Sequence, residues 1–96
     1  IAPLEIDGIL AQHPDIGEAA TIGVPDRVYG EEVVAYVAAR AGAALTEDSV
    51  VRHCAAALPE FKRPKRIVIT TAIPKNERGK IDRNALKADW QRRNEG

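Results

Sequence analysis

Residues 67–80 read IVITTAIPKNERGK, and this stretch decides the fold. With its β-branched run from Ile67 to Ile73, the segment Arg66 to Ile73 reads as a strand, and Pro74, which cannot donate to a ladder, closes it. Gly79 admits a backbone turn closed to other residues. Pro74-Lys75-Asn76-Glu77-Arg78-Gly79-Lys80 therefore reads as a constrained loop with Lys80 at its tip, beside Lys75 and Arg78. Cations gathered on a tight loop suit an anionic target, a phosphate or a carboxylate. The plain alternative is a solvated turn.

After the loop, Arg83 or Asn84 opens a last helix that runs through Trp90 to about Arg93. Before the strand, Phe61 to Pro64 is a basic, proline-stiffened loop. Thr46 is an N-cap candidate with Glu47 and Asp48 in the first turn, and the helix it starts runs through Leu58 to a stop at Pro59. Glu32 to Arg40, rich in valine and alternating in character, is a strand broken by Gly42. Ile16 to Val24 is another, closed by a Pro25-Asp26 turn whose loop continues through Tyr29-Gly30. Pro3 suits the first turn of an opening helix, with Glu5 and Asp7 at its positive end and a stop near His13-Pro14. The order α-β-β-α-β-α predicts an α+β fold: a small mixed sheet of about three strands flanked by helices.

Ninety-six residues make a single domain, 1–96, with room for a modest core. Apolar content of 45% and charge of 29% describe a globular chain rather than a disordered one. No apolar run approaches a membrane span and no signal peptide is visible, which suits a cytoplasmic protein. Cys54 has no partner for a disulfide and reads as a buried structural thiol on a helix, not a nucleophile. His13 and His53 stand alone, so no metal site is expected; a capping or surface role suits His13, and a helix-surface place suits His53.

The net charge of zero hides a division. Residues 1–48 hold nine acids and two bases, net −7; residues 49–96 hold five acids and twelve bases, net +7. Such asymmetry marks an anion-facing or docking surface. Nucleic acid is a possible target, but the basic half has only Phe61 and Trp90 for stacking and no nucleic-acid motif. A nucleotide with several phosphates fits at least as well. A basic binding module without catalysis is the rival reading.

The Pro-Lys-x-x-x-Gly-Lys spacing of 74–80 resembles the closing motif of the adenylate-forming enzymes: acyl-CoA synthetases, peptide-synthetase adenylation domains and luciferases. Ile1-Ala2-Pro3-Leu4-Glu5-Ile6-Asp7 is similar to the family's Ile-Ser-Pro-x-Glu-Ile-Glu segment. His13-Pro14, Glu18-Ala19-Ala20, Gly23-Val24-Pro25-Asp26, Gly30-Glu31 and Phe61-Lys62-Arg63-Pro64-Lys65 fall at the family's intervals. Each motif is weak alone, and their order is specific. The resemblance covers nearly the whole chain and implies the small C-terminal lid domain. By the same resemblance, the N-terminal ATP- and acyl-binding domain and the hinge lie outside this sequence. A part of a longer protein, inactive by itself, is the expectation.

Enzymes of that family join a carboxylate to ATP and release pyrophosphate. The acyl-CoA synthetases then pass the acyl group to CoA. The resemblance makes Lys80 the catalytic lysine that orients the carboxylate and the α-phosphate, with Pro74 and Gly79 shaping its loop. Lys75 and Arg78 are left to add local positive potential. It implies that Phe61 stacks on the adenine of CoA while Arg63 and Lys65 meet its phosphates; a core role for Phe61 is an equal alternative. Glu31 is expected to pair with a nearby base, and Arg83 to form a salt bridge at a helix start. The implied partners are ATP or acyl-AMP, CoA and the chain's own N-terminal domain. Mg2+ belongs to the full-length enzyme and not to these residues. Lys80 also resembles the lysine that acetyltransferases modify in CoA ligases. A peptide-synthetase subdomain serving a carrier protein remains the alternative, since Lys80-Ile81-Asp82-Arg83 with Ala85-Leu86 resembles that closing segment too.

Overall fold

In the computed structural model, residues 3–28 and 30–94 are described. The elements run α1 (Pro3–Ala11), β1 (Ile16–Asp26), β2 (Gly30–Ala39), α2 (Glu47–Ala57), a 3-10 turn (Glu60–Lys62), β3 (Arg66–Thr70) and α3 (Arg83–Arg93). This is the expected α+β order. The sheet is mixed, with β2 in the centre: antiparallel to β1 and parallel to β3. A parallel partner needs a crossover, and α2 supplies it.

Neighbouring side chains of a strand face opposite ways, so β2 feeds two cores. Val33, Ala35 and Val37 meet Ile6 and Leu10 of α1 and Val50 and Cys54 of α2 on one face. Val34, Tyr36 and Ala38 meet Ile22, Val24, Ile73 and Leu86 on the other, beneath α3. Three layers result, α1 and α2 over the sheet over α3. The valine-rich strand is thus an unbroken apolar run rather than an alternating one, as a strand covered on both faces requires. Thr46 caps α2 as its sequence predicts, its Oγ1 accepting the Ser49 N–H at 3.2 Å. Among the described residues no helix is long and apolar enough to cross a membrane.

Three expectations about the strands are corrected. Pro25-Asp26 is not a turn: β1 continues through it, with Pro25 opposite Glu31 and Asp26 opposite Gly30. β1 is an edge strand, where a proline without an N–H is tolerated. Gly30 accordingly opens β2 instead of lying in the loop, at φ +82°. Tyr29 and the Ile1-Ala2 start of the first motif lie outside the described residues. The third strand ends at Thr70, well short of Pro74, because its partner runs out: Ala38 faces Thr70 and β2 stops at Ala39. Ile73 then turns into the α3-side core, 2% exposed.

His13 is not a surface or capping residue but is buried. Its Nδ1 accepts the Asp15 backbone N–H at 3.0 Å, so the ring proton sits on Nε2 and is donated to Ser49 Oγ at 3.1 Å. That tautomer rules out Ser49 activation by His13. His53, half-buried, donates from Nε2 to the Ile9 carbonyl at 2.7 Å and ties α2 to α1. The two rings, far apart in sequence, lie 5.1 Å from each other. Cys54 is buried, and desolvation pushes its thiol up from the ordinary value.

Candidate active-site hairpin

The loop 74–80 is a small hairpin. Lys75 and Ile81 form an antiparallel bridge at its neck. The Asn76 N–H donates to the Lys80 carbonyl at 2.7 Å, and the Gly79 N–H returns to the Asn76 carbonyl at 2.9 Å. Asn76 Oδ1 accepts twice more, from the N–H of Arg78 at 2.8 Å and of Lys80 at 3.1 Å. Gly79 stands at φ +79°, the left-handed residue that completes a three-residue hairpin connection. A Cβ there would meet nothing within 4 Å, so the backbone angle, not crowding, demands glycine in this chain.

The hairpin is fixed to the body at several points. Beside the neck, the Asp82 N–H reaches the Pro74 carbonyl at 2.9 Å, and the Asp82 side chain caps α3 by accepting the Ala85 N–H at 3.0 Å. Lys75 does not offer free positive charge. Its Nζ forms an ion pair with Glu18 of β1 and also donates to the Ile73 carbonyl at 3.2 Å. Arg83 forms the expected helix-start salt bridge, with Asp7 as partner. NH2 meets Asp7 Oδ2 and NH1 meets the Thr21 carbonyl, both at 2.6 Å, while Asp7 Oδ1 accepts the Thr21 N–H at 2.7 Å. Lys80 is exposed, and among the described residues its Nζ has no hydrogen-bond or ion-pair partner. Arg78 likewise keeps its guanidinium unpaired.

α3, which the hairpin leads into, is docked by Tyr36. Its hydroxyl donates to Asp89 Oδ2 at 2.6 Å, and Arg93 Nε donates to the same oxygen at 2.6 Å. Desolvation and the Asp89 contact push the Tyr36 phenol well above its ordinary range. The Tyr36 hydrogen bond, followed by that from Arg93, holds the Asp89 carboxyl below the usual carboxylate range.

The second candidate segment occupies the other end of the sheet. Lys65 donates its backbone N–H to the Val33 carbonyl at 2.8 Å, next to the start of β3, whereas the hairpin neck pairs with Glu18 beside Ala38 and Thr70 at the end of β3. Lys80 and the Phe61-Arg63-Lys65 group are therefore not brought together. Phe61 is 79% exposed and is not core. Lys62 is paired with Glu5 at 3.1 Å. Arg63 closes the C-terminus of α2, with Nε on the Leu58 carbonyl at 2.8 Å and NH2 on the Ala55 carbonyl at 3.2 Å. Of its five N–H groups, three remain without a partner among the described residues.

Phe61 and Lys65 border a groove of about 680 Å³ with Asp26, Glu31, Glu32 and Glu60. Among the described residues no base pairs with Glu31, contrary to expectation. Its carboxylate instead lies over Gly23, where a Cβ would stand 2.6 Å from it. Among the described residues no group of three or more His, Cys, Asp or Glu side chains is placed to hold a metal ion.

Asp7, Glu18 and Tyr36 escaped the sequence reading as parts of this site. Asp7 was visible only as a helix-dipole partner. Its contact with Arg83 spans 76 positions, and no local pattern reports such a pair.

The three-layer α+β domain thus presents Lys80 on a braced hairpin, with no partner for its Nζ among the described residues. Residues 5–80 match the sequence pattern of the AMP-binding enzyme C-terminal domain, and the chain belongs to that family. It is 46% identical over 86 residues to a probable CoA ligase, CCL9, of Humulus lupulus, covering 90% of this chain and 16% of that protein. It is 43% identical over 86 residues to an oxalate–CoA ligase of Arabidopsis thaliana, covering 90% and 17% respectively. The ATP-bound crystal structure of MatB from Rhodopseudomonas palustris superimposes with a TM-score of 0.86 at 32% identity, over 93% of this chain and 18% of that one. The chain thus spans about one sixth of the length of its relatives, which are CoA ligases.

Proposed function

We propose that this chain is the mobile C-terminal domain of an acyl-CoA synthetase, one that joins a carboxylate to ATP and then transfers the acyl group to CoA. Lys80 is the residue it delivers to the first step. The observation that carries this reading is the hairpin itself: the Lys80 backbone is held by two hydrogen bonds to Asn76, while its Nζ has no partner among the described residues. A compact ammonium on a long stem can lie between two anions, the carboxylate and the α-phosphate, and offset the charge that grows on the phosphate. The large domain supplies the ATP and acyl pockets.

The two ends of the sheet support an alternation of orientations. One places the hairpin in the active site for adenylation. The other withdraws it and turns the Phe61, Arg63 and Lys65 end toward the nucleotide of CoA, a rigid-body exchange about a hinge. The exposure of Phe61 and the free N–H groups of Arg63 support the contact; the four carboxylates of the neighbouring groove oppose placing phosphates inside it. The unpaired Nζ of Lys80 is also open to a lysine acetyltransferase, and acetylation would remove the cation the first step needs. In the ligase carrying this domain, Lys80→Ala is expected to slow acyl-AMP formation about a hundredfold, the scale of one well-placed donor. Undiminished adenylation would contradict the reading.

A further inference from the structure

We propose that Asp7, Arg83 and Glu18 are positioning residues for Lys80, an inference that rests on the adenylation role given to that lysine. The hairpin is anchored to β1 from both sides. At its entrance, Lys75 is held by Glu18. At its exit, three residues after Lys80, one Arg83 guanidinium joins α3 to Asp7 of α1 and to the Thr21 carbonyl of β1. Asp7 grips the same residue of β1 through the Thr21 N–H, so α1, β1 and α3 meet in one closed set of bonds. The Arg83 and Asp7 side chains are only 28% and 14% exposed, which limits screening by solvent.

Among the described residues, the tip of the hairpin makes only local hydrogen bonds. Its direction relative to the domain is therefore set at the neck. None of the three residues belongs to either apolar core, so their loss would tilt the hairpin before it unfolded the domain. A lysine that must stand between two anions is sensitive to such a tilt. A displacement near 1 Å at a reacting centre costs on the order of a hundredfold in rate.

The test uses the whole ligase that carries this domain. Asp7→Asn keeps an acceptor for the Thr21 N–H and removes the charge; Arg83→Met removes the guanidinium; Glu18→Gln removes the charge from the exposed pair. Each is measured in acyl-AMP formation and, separately, in thioester formation from supplied acyl-AMP, with Lys80→Ala alongside. Expected is a loss of about tenfold or more in the adenylation kcat, with little change in KM for ATP and thioester formation within about twofold of the parent. Glu18 is 42% exposed, so Glu18→Gln keeps the test decisive if Asp7→Asn or Arg83→Met fails to fold. Equal loss in both half-reactions, or full adenylation by Glu18→Gln and Asp7→Asn while Lys80→Ala is defective, overturns the positioning role and leaves the lysine's role standing. Full adenylation by Lys80→Ala removes both.

Discussion

Tyr36→Phe removes one hydroxyl and leaves a ring of nearly the same shape in the α3-side core. Tyr36 is 2% exposed and its hydroxyl donates to Asp89 at 2.6 Å. A hydrogen bond to a charged partner contributes about 1.5–3 kcal/mol. Asp89 is one-third exposed and keeps Arg93, so water can replace part of the lost contact and the low end applies, about 1.5 kcal/mol. For a domain of this size that lowers Tm by roughly 6–12 °C.

The sign of the pH dependence follows from both groups. The folded Asp89 carboxyl titrates below its ordinary range, so its contribution is present above about pH 4 and is lost as pH falls through the folded value. The folded Tyr36 phenol titrates above its ordinary range, so its contribution is full below about pH 10 and is lost as pH rises beyond it. The difference between parent and Tyr36→Phe should be widest between those limits and shrink on either side. Urea unfolding followed by fluorescence of Trp90, the only tryptophan and one packed on the same core, measures it across pH. A difference below about 0.3 kcal/mol at pH 7, or one that does not change down to about pH 2, would show that the Tyr36–Asp89 hydrogen bond does not stabilise the fold.

Three further outcomes follow from the same geometry. Thr21 is fully buried with no partner for Oγ1 among the described residues, so Thr21→Val should be neutral or raise stability by up to about 1 kcal/mol in urea unfolding; a loss of that size would reveal a hidden hydrogen bond. Gly79→Ala forces an ordinary residue into the left-handed region at about 1–2 kcal/mol, so amide exchange at Gly79 and Lys80 should quicken about tenfold or more while the sheet amides are unchanged. In the whole ligase, Arg63→Ala with Lys65→Ala should raise the apparent KM for CoA with little change for ATP; an unchanged KM for CoA would favour a carrier protein as acceptor.

What the sequence made legible was local. The Thr46 cap, the element order and the glycine of the hairpin are written in neighbouring residues, and each appears in the structure. What escaped depends on distant partners. Pro25 reads as a stop until its strand is known to lie at an edge, and β3 is shortened only because β2 ends opposite it. His13 looks like a polar terminus, yet Ser49 and Asp15 make a buried place for it. Lys75 looks like a third cation of the loop, and Glu18, 57 positions away, neutralises it. The loop's positive potential is thereby reduced to Arg78 and Lys80. Motif order singles out Lys80 as a candidate; the ion pairs at its hairpin carry no signal in a single sequence.

The role of Lys80 is tested by comparing the two half-reactions in one Lys80→Ala ligase under single-turnover conditions. Acyl-AMP formation should slow about a hundredfold, with thioester formation from supplied acyl-AMP close to the parent rate. Equal slowing of both steps, or of neither, would contradict it.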